Sequence, residues 1–349
     1  MNSPCMVDAT ALNRFGVTVL EANGVESEQA LAVIDNLVWS ELVGRKNFGF
    51  IRFPLYLDRL KAGGLNGQCT PRLEKKSESL ALLDGDQGFG QFVGRIAMTQ
   101  AVSMARDSGI GIVGVHNSNF FGTGAYFANQ SCEAGMIGLA ASNSFPKVVA
   151  HGGRTPVFGT NPFAFGAPQR SGDHILVDLS TSALAGSTVR EHIDAGTALP
   201  EGLAIDGDGH TITDPHKVQD GALLPFGGSK GYCLSFMVEI LCGVLTGAGV
   251  SSGVSSMYNE LAESGQNGHF ILALDPEKFM DRNTYFDRID SLISMVLMSA
   301  APGAPVRIPG QVRLEAYREN VTNGIHLDSK TCQALQRVAK PVDVTVPWT

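Results

Sequence analysis

Five short stretches hold the residues best suited to chemistry. "GRKNFGFIRFP" (44–54) offers Asn47, Phe48 and Arg52: an amide, an apolar ring and a guanidinium that can grip a carboxylate through two parallel hydrogen bonds. "HNSNFFGTG" (116–124) gathers His116, Asn117, Ser118, Asn119, Phe120 and Gly122 where an apolar strand gives way to a helix. Backbone N–H groups and a helix start can cradle a phosphate or ribose there, although the same residues also read as a turn that caps itself. In "FGTNPFAFGAP" (158–168), Pro162 biases Asn161 toward an extended backbone, which fixes the amide beside Thr160. "ILVDLSTS" (175–182) ends a strand in Asp178 and Ser180. A carboxylate there could bind a ribose hydroxyl, orient a nicotinamide amide, hold an ammonium, or merely cap the next turn. "LPFGGSKGY" (224–232) leads Gly227, Gly228, Ser229, Lys230 and Gly231 into the first turn of an apolar helix. A lysine there opposes the helix dipole unless an anionic ligand shares the site. Arg307 stands alone in the loop "APVRIPG".

Several other chemistries lack support. The eight histidines form no H-E-x-x-H, and "DGDGHTITD" lacks the distal glutamate of a calcium loop, so no metal site is expected. Gly109, Gly111 and Gly114 have the G-x-G-x-x-G spacing, but "IGIVGV" is itself a strand rather than a strand-to-helix turn. The glycines there serve close backbone approach. The spacing before Lys230 is not that of a nucleotide-hydrolysing loop, and no G-x-S-x-G elbow occurs.

The elements that must position these residues follow from periodicity. Helices are expected over 9–43, with Ser27 as a cap, in the segment 54–68 from Pro54 to a stop at Gly63-Gly64, and over 91–108, 124–134, 230–245, 284–299 and 311–320. Short apolar strands fall at 78–84, 109–118, 136–142, 162–168, 174–180 and from 269. Residues 190–225 are polar and turn-rich, expected as hairpins and an ordered cover rather than a second core. Helices at both ends with strands between predict an α/β chain whose ends fold together around a central sheet.

With 349 residues, 44% hydrophobic and 17% charged, the chain can bury a sizeable core, and its lean charge suggests surface covered by a second subunit. A net charge of −8 argues against nucleic-acid binding. Six scattered cysteines show no pairing spacing, and neither a leader nor an 18-residue apolar run is seen, so a reduced, cytoplasmic protein is expected.

Taken in order, "SNFFG", "FGTNPFAFGAP", "DLSTS", "LPEGLAIDGDGHTITDP" and "LLPFGGSKGY" resemble the malate/L-lactate dehydrogenase family of the non-Rossmann type, from about residue 10 to 325. That family contains 2-hydroxy acid dehydrogenases and reductases of cyclic imines such as Δ1-piperideine-2-carboxylate and Δ1-pyrroline-2-carboxylate. The resemblance implies an α/β fold with a mostly antiparallel or mixed sheet, a helical dimerisation domain from 1–75 plus 230–349, and an NAD(P)-binding domain over 76–229. It implies a homodimer, a small carboxylate substrate, and NADPH or NADH in a cleft lined by Ser118, Thr160, Asn161, Asp178, Ser180 and Lys230. His116, Phe120, Gly122 and Ser229 lie in the same segments, Gly228 and Gly231 would allow close approach, and Arg307 would reach a cofactor phosphate. Arg52 would bind the substrate carboxylate.

Two departures carry weight. Family members read S-H-G where this chain has Asn47-Phe48-Gly49, and S-N-H-F-G where it has Ser118-Asn119-Phe120-Phe121-Gly122. The first histidine is the family's proton donor and acceptor, and phenylalanine can be neither. A proton donor is worth roughly 10²–10⁴ in rate for ketone reduction, whereas a protonated cyclic imine accepts hydride without one. With "GALLPFGG" leaning the same way, the expectation is an NAD(P)H-dependent reductase of a cyclic imino acid, with Asp178 facing the iminium and Phe48 and Phe120 shaping a dry pocket. The alternatives are a 2-oxo/2-hydroxy acid dehydrogenase with a relocated acid (Lys46, His116, Lys147 or Asp178), another C=N or C=C reductase, or a cofactor-binding homologue without turnover.

Overall fold

The computed structural model describes residues 4–348. A seven-stranded mixed sheet runs β2 (Arg72–Lys75), β3 (Leu80–Asp84), β4 (Ile110–Ser118), β12 (Asn267–Leu274), β5 (Ile137–Ser142), β8 (Phe163–Ala167) and β9 (Ile175–Leu179). Among the described residues of this sheet, only β3 and β4 pair in parallel. Alternation along the strands divides the faces. Val113, Val115, Ile271 and Ala273 pack under α4 (Gly90–Ser108) and α5 (Gly124–Glu133). Ile112, Phe270 and Leu272 face α7 (Ser229–Glu239), which widens into a π turn over Ile240–Val244. Gly111 belongs to β4 because an added Cβ would lie 2.0 Å from the Ala101 carbonyl of α4, while Gly109 ends α4 at φ 85°.

Both ends of the chain build the helical body. Its core joins α1 (Ala9–Ala22), α2 (Ser27–Leu42), α3 (Phe53–Ala62) and α10 (Ser329–Ala339), with β1 (Cys5–Val7) paired to β13 (Ile325–Leu327). Gly63 ends α3 in the left-handed region, and Pro54 sits in its first turn, as the sequence predicts. The cap of α2 is Glu26 rather than Ser27: its carboxylate accepts from the N–H groups of Glu28 and Gln29. The segment after residue 230 also supplies β12, the middle strand of the seven-stranded sheet.

Two further expectations need correction. Residues 190–225 are not only a cover. With a small sheet of β10 (Ala204–Ile205), β11 (Ala222–Leu223), β6 (Val148–Val149) and β7 (Pro156–Phe158), they enclose a core that includes Leu199, Ala204, Ile212, Val218 and Leu223. Each turn contributes one apolar residue, too widely spaced to register as periodicity. A further helix, α6 (Gly186–Ala195), closes over this lobe. Nor are all cysteines reduced: Cys5 and Cys332 form a disulfide across 327 positions, a separation that carries no sequence signature. Among the described residues no helix is long and apolar enough to cross a membrane.

Candidate active site

The loop after α2 is held from beneath. Glu41 is buried and its Oε1 accepts the Phe50 N–H at 2.7 Å, while an added Cβ on Gly49 would sit 2.1 Å from the same oxygen. Burial pushes the Glu41 carboxyl up to about 7, against the Phe50 N–H and the Lys46 charge. Phe50 and Phe53 anchor the loop in the helical core. Lys46 ties its outer side to the His326 carbonyl at 3.0 Å.

This frame presents Phe48 and Arg52 together. The Phe48 ring stacks on Phe120, with centroids 6.2 Å apart and planes at 12°. Arg52 is 8% exposed and donates from Nε to the Asn47 carbonyl at 2.7 Å. Its guanidinium lies 5.8 Å from the Phe120 ring and 5.5 Å from the Tyr258 ring. Its Nη1 donates to the Tyr258 hydroxyl, and Arg190 of α6 approaches that same hydroxyl. Desolvation acts to raise the Tyr258 pKa, but the charge and hydrogen bond of Arg52, followed by those of Arg190, outweigh it and hold the phenol below its ordinary value. Tyr56, behind Arg52 in the core, shows the opposite outcome: burial dominates and its phenol is pushed up.

A second group meets at the start of α7. Ser144 Oγ accepts the Thr160 N–H at 3.0 Å, and the Thr160 carbonyl accepts from Thr181 N (2.9 Å) and Oγ1 (3.0 Å). The Thr181 carbonyl in turn accepts Phe226 N–H, just before the helix. Ser180 donates within its own turn to the Ser182 carbonyl. Asn161 takes φ 33° instead of the extended backbone predicted ahead of proline. Its amide is nonetheless fixed, accepting from Ser144 N–H and donating to the Ser235 carbonyl and Glu239.

Gly228 caps α7 at φ 63° with no side-chain cap bond, while Ser229 and Lys230 open the first turn exposed to solvent. Gly227 and Gly228 border a cleft of about 700 Å³ shared with His151, Arg154, Leu203 and Asp208. An added Cβ on Gly231 would lie 2.3 Å from the Phe226 carbonyl, so that glycine serves helix packing. A nicotinamide dinucleotide fits this cleft: the Arg154 guanidinium suits its phosphates, Gly227 and Gly228 leave room beside the chain, and the volume suits a cofactor. The two groups are joined by consecutive residues, because Phe145 follows Ser144 and places its ring edge-on to Tyr258 at 6.0 Å.

Other residues singled out in the sequence have different neighbours. Asp178 accepts from Thr123 Oγ1 at 2.6 Å and pairs with buried Arg313 at 3.4 Å. Ser118 and Ser142 hold the two ring nitrogens of fully buried His269, each at 2.9 Å. Gly122 packs on α2, where an added Cβ would meet the Asn36 amide oxygen at 2.5 Å. His116 lies opposite Asp84 in the β3–β4 pair. Arg307 is exposed on a loop whose Pro309 carbonyl accepts Leu176 N–H. Asp206, Asp208 and His210 lie close enough to share a cation, but Asp206 already accepts the N–H groups of Asp208 and His210.

Tyr258, Arg190, Phe145 and Ser144 were not found from the sequence. None sits in a recognisable motif, and Tyr258 and Arg190 are 68 positions apart; only the lobe over α6 brings them to one point.

The malate/L-lactate dehydrogenase family model matches residues 7–336. L-sulfolactate dehydrogenase of Methanothermobacter thermautotrophicus is 36% identical, covering 94% of each chain. The structure of malate dehydrogenase from Pyrococcus horikoshii superposes with a TM-score of 0.89 at 33% identity, covering 98% of this chain and 97% of that one. The Δ1-pyrroline-2-carboxylate/Δ1-piperideine-2-carboxylate reductase of Pseudomonas putida is 32% identical over 95% of this chain and 96% of its own. The similarity to sulfolactate and malate dehydrogenases is thus the greater, and it overturns the expected cyclic imino acid reductase in favour of a hydroxy acid dehydrogenase.

Proposed function

This chain belongs to the malate/L-lactate dehydrogenase family, and we propose that it interconverts a 2-hydroxy acid carrying a second anionic group with its 2-oxo acid. The observation that supports this reading is the convergence of two guanidiniums, Arg52 and Arg190, on one hydroxyl. A monocarboxylate uses one such cation, while a compound such as malate or sulfolactate uses both. Arg52 fixes the carboxylate beside the reacting carbon, and Arg190 receives the distal anion from the covering helix. Phe48 and Phe120 form the apolar wall that keeps water from the reacting atoms.

When bound, the nicotinamide carries the hydride. Gly227 and Gly228 would let the cofactor approach the backbone, Arg154 would pair with a phosphate, and Asp208 would accept from a ribose hydroxyl. That mixed pair suits NADPH or NADH. A second copy of the chain covers the apolar face left by Phe236, Met237, Ile240, Val244 and Leu245.

Purified protein assayed with NAD⁺ and NADP⁺ on malate, sulfolactate and lactate tests the reading. The dianionic substrates are expected to exceed lactate by at least about tenfold in kcat/KM, the worth of one charged hydrogen bond. Equal or faster turnover of lactate overturns it.

A further inference from the structure

Hydride transfer to or from a hydroxy acid requires a proton to move at the same carbon's oxygen. Phe48 and Phe120, the rings that wall the Arg52 site, have no proton to give. The polar groups expected to replace one are engaged elsewhere. Lys46 is drawn to the His326 carbonyl; Lys147 donates to the carbonyls of Gln219 and Gly221; Asp178 is held by Thr123 and Arg313. His116 sits over the β3–β4 pair beside Asp84.

We propose that Tyr258 is the proton donor and acceptor of this site, its phenol oxygen exchanging a proton with the substrate oxygen on C2. The inference rests on the dehydrogenase reading above and names a catalytic residue within it.

Hydrogen-bond inventory makes the first argument. A guanidinium can only donate, so Arg52 uses a lone pair of the Tyr258 oxygen, and the Arg190 charge acts on the same oxygen. No acceptor for the Tyr258 O–H proton occurs among the described hydrogen bonds, so that proton is free for substrate. Position makes the second. A carboxylate bound to Arg52 has C2 one bond away, and Tyr258 shares that guanidinium. The tyrosine remains 42% exposed, so a small substrate can reach it. Its neighbour Met257 is buried in the helical core, which fixes the direction of the loop.

Electrostatics adds support. The charged and titratable groups facing Tyr258 are Arg52 from the loop before α3, Arg190 from α6 and the neutral phenol of Tyr56 in α3; Phe145 contributes an apolar edge. Two cations stabilise the phenolate, and its pKa lies below the ordinary phenol value. In oxidation the phenolate takes the hydroxyl proton as the C2–H electron pair passes to the oxidised nicotinamide and the C=O bond forms. In reduction the phenol gives that proton back as C2 accepts hydride from the reduced nicotinamide.

The test compares the wild type with Tyr258→Phe, which keeps the ring against Arg52 and Phe145. Loss of roughly 10²–10⁴ in kcat is expected, with KM for malate within a few-fold, cofactor affinity by fluorescence titration unchanged, and melting temperature retained. In the oxidative direction the wild-type kcat/KM should climb with pH through a single ionisation below pH 10 that the variant lacks. A variant that keeps more than a tenth of kcat and the same rising limb overturns the proposal. A wild type inert toward every 2-hydroxy acid instead sinks the dehydrogenase reading. In that event ultraviolet phenolate absorbance, wild type minus variant, still decides the residue: a midpoint below 10 upholds an activated phenol, and one at or above 10 removes it.

Discussion

Arg52, singled out by the family resemblance, stands nearly buried beside the rings of Phe120 and Tyr258. It sits 8% exposed, with its Nε spent on the Asn47 carbonyl, leaving the outer edge of its fork for an anion. Arg52→Ala is expected to raise KM for the acid about 10- to 100-fold, the range of a charged hydrogen bond, while cofactor affinity holds; steady-state kinetics and a cofactor titration separate the two. Beneath it, Glu41 offers a stability test. Its folded pKa, about 7, lies above the ordinary value of 4.5, so native binding favours the protonated form. The associated stabilisation is complete below pH 4.5 and is lost as pH climbs through 7. Glu41→Gln should therefore gain relative to the wild type as pH rises from 4.5 to 8, by roughly 3 kcal/mol at most; denaturant unfolding at pH 5 and 8 measures it. What sequence could not supply at this scale was Tyr258. Its role depends on Arg52 and Arg190, and neither lies near it in the chain.

At the scale of elements, most strands and helices were readable because each buries one face. The β4 run "GIGIVGV" declared itself as a strand despite its glycine spacing, and Gly111 lies under Ala101 as close approach requires. Hydroxyls at strand ends were harder. Ser118 and Ser142 look free in sequence, yet both are held by His269 from the strand between them. The imidazole is also stacked on Phe121 at 4.6 Å. Burial lowers its pKa to about 3, so it stays neutral in the folded state. The sign is opposite to that of Glu41: the stabilisation is full above the unfolded value of 6.5 and lost as pH falls toward 3. Histidine NMR signals should show one ring that does not titrate between pH 8 and 5. A ring-by-ring titration with every histidine near 6.5 contradicts the buried assignment.

For the whole molecule, composition foretold more than topology. A charged fraction of 17% matches the broad apolar surface on and after α7, where Val244 and Leu245 are each more than 60% exposed. Light scattering should return twice the 36.9 kDa chain mass, and Leu245→Asp should shift it toward one copy. Wild-type monomer at micromolar concentration counts against the dimer. The pairing of the two ends through Cys5 and Cys332 was invisible for a different reason, since 327 positions separate the sulfurs and only the finished fold brings them together.

The place of β12 reaches into how the molecule is made. Between β4 and β5 it holds together two half-sheets, β2-β3-β4 and β5-β8-β9, that do not otherwise pair. A nascent chain completes the first half at Ser118 and the second at Leu179, both well before the joining strand begins at Asn267, so each waits with an open edge, a state prone to mispairing. Tyr258 lies nine residues ahead of β12, on the segment that delivers it. Closure of the sheet and arrival of the phenol at Arg52 are therefore one late event in biosynthesis, and no partly made chain carries the completed site.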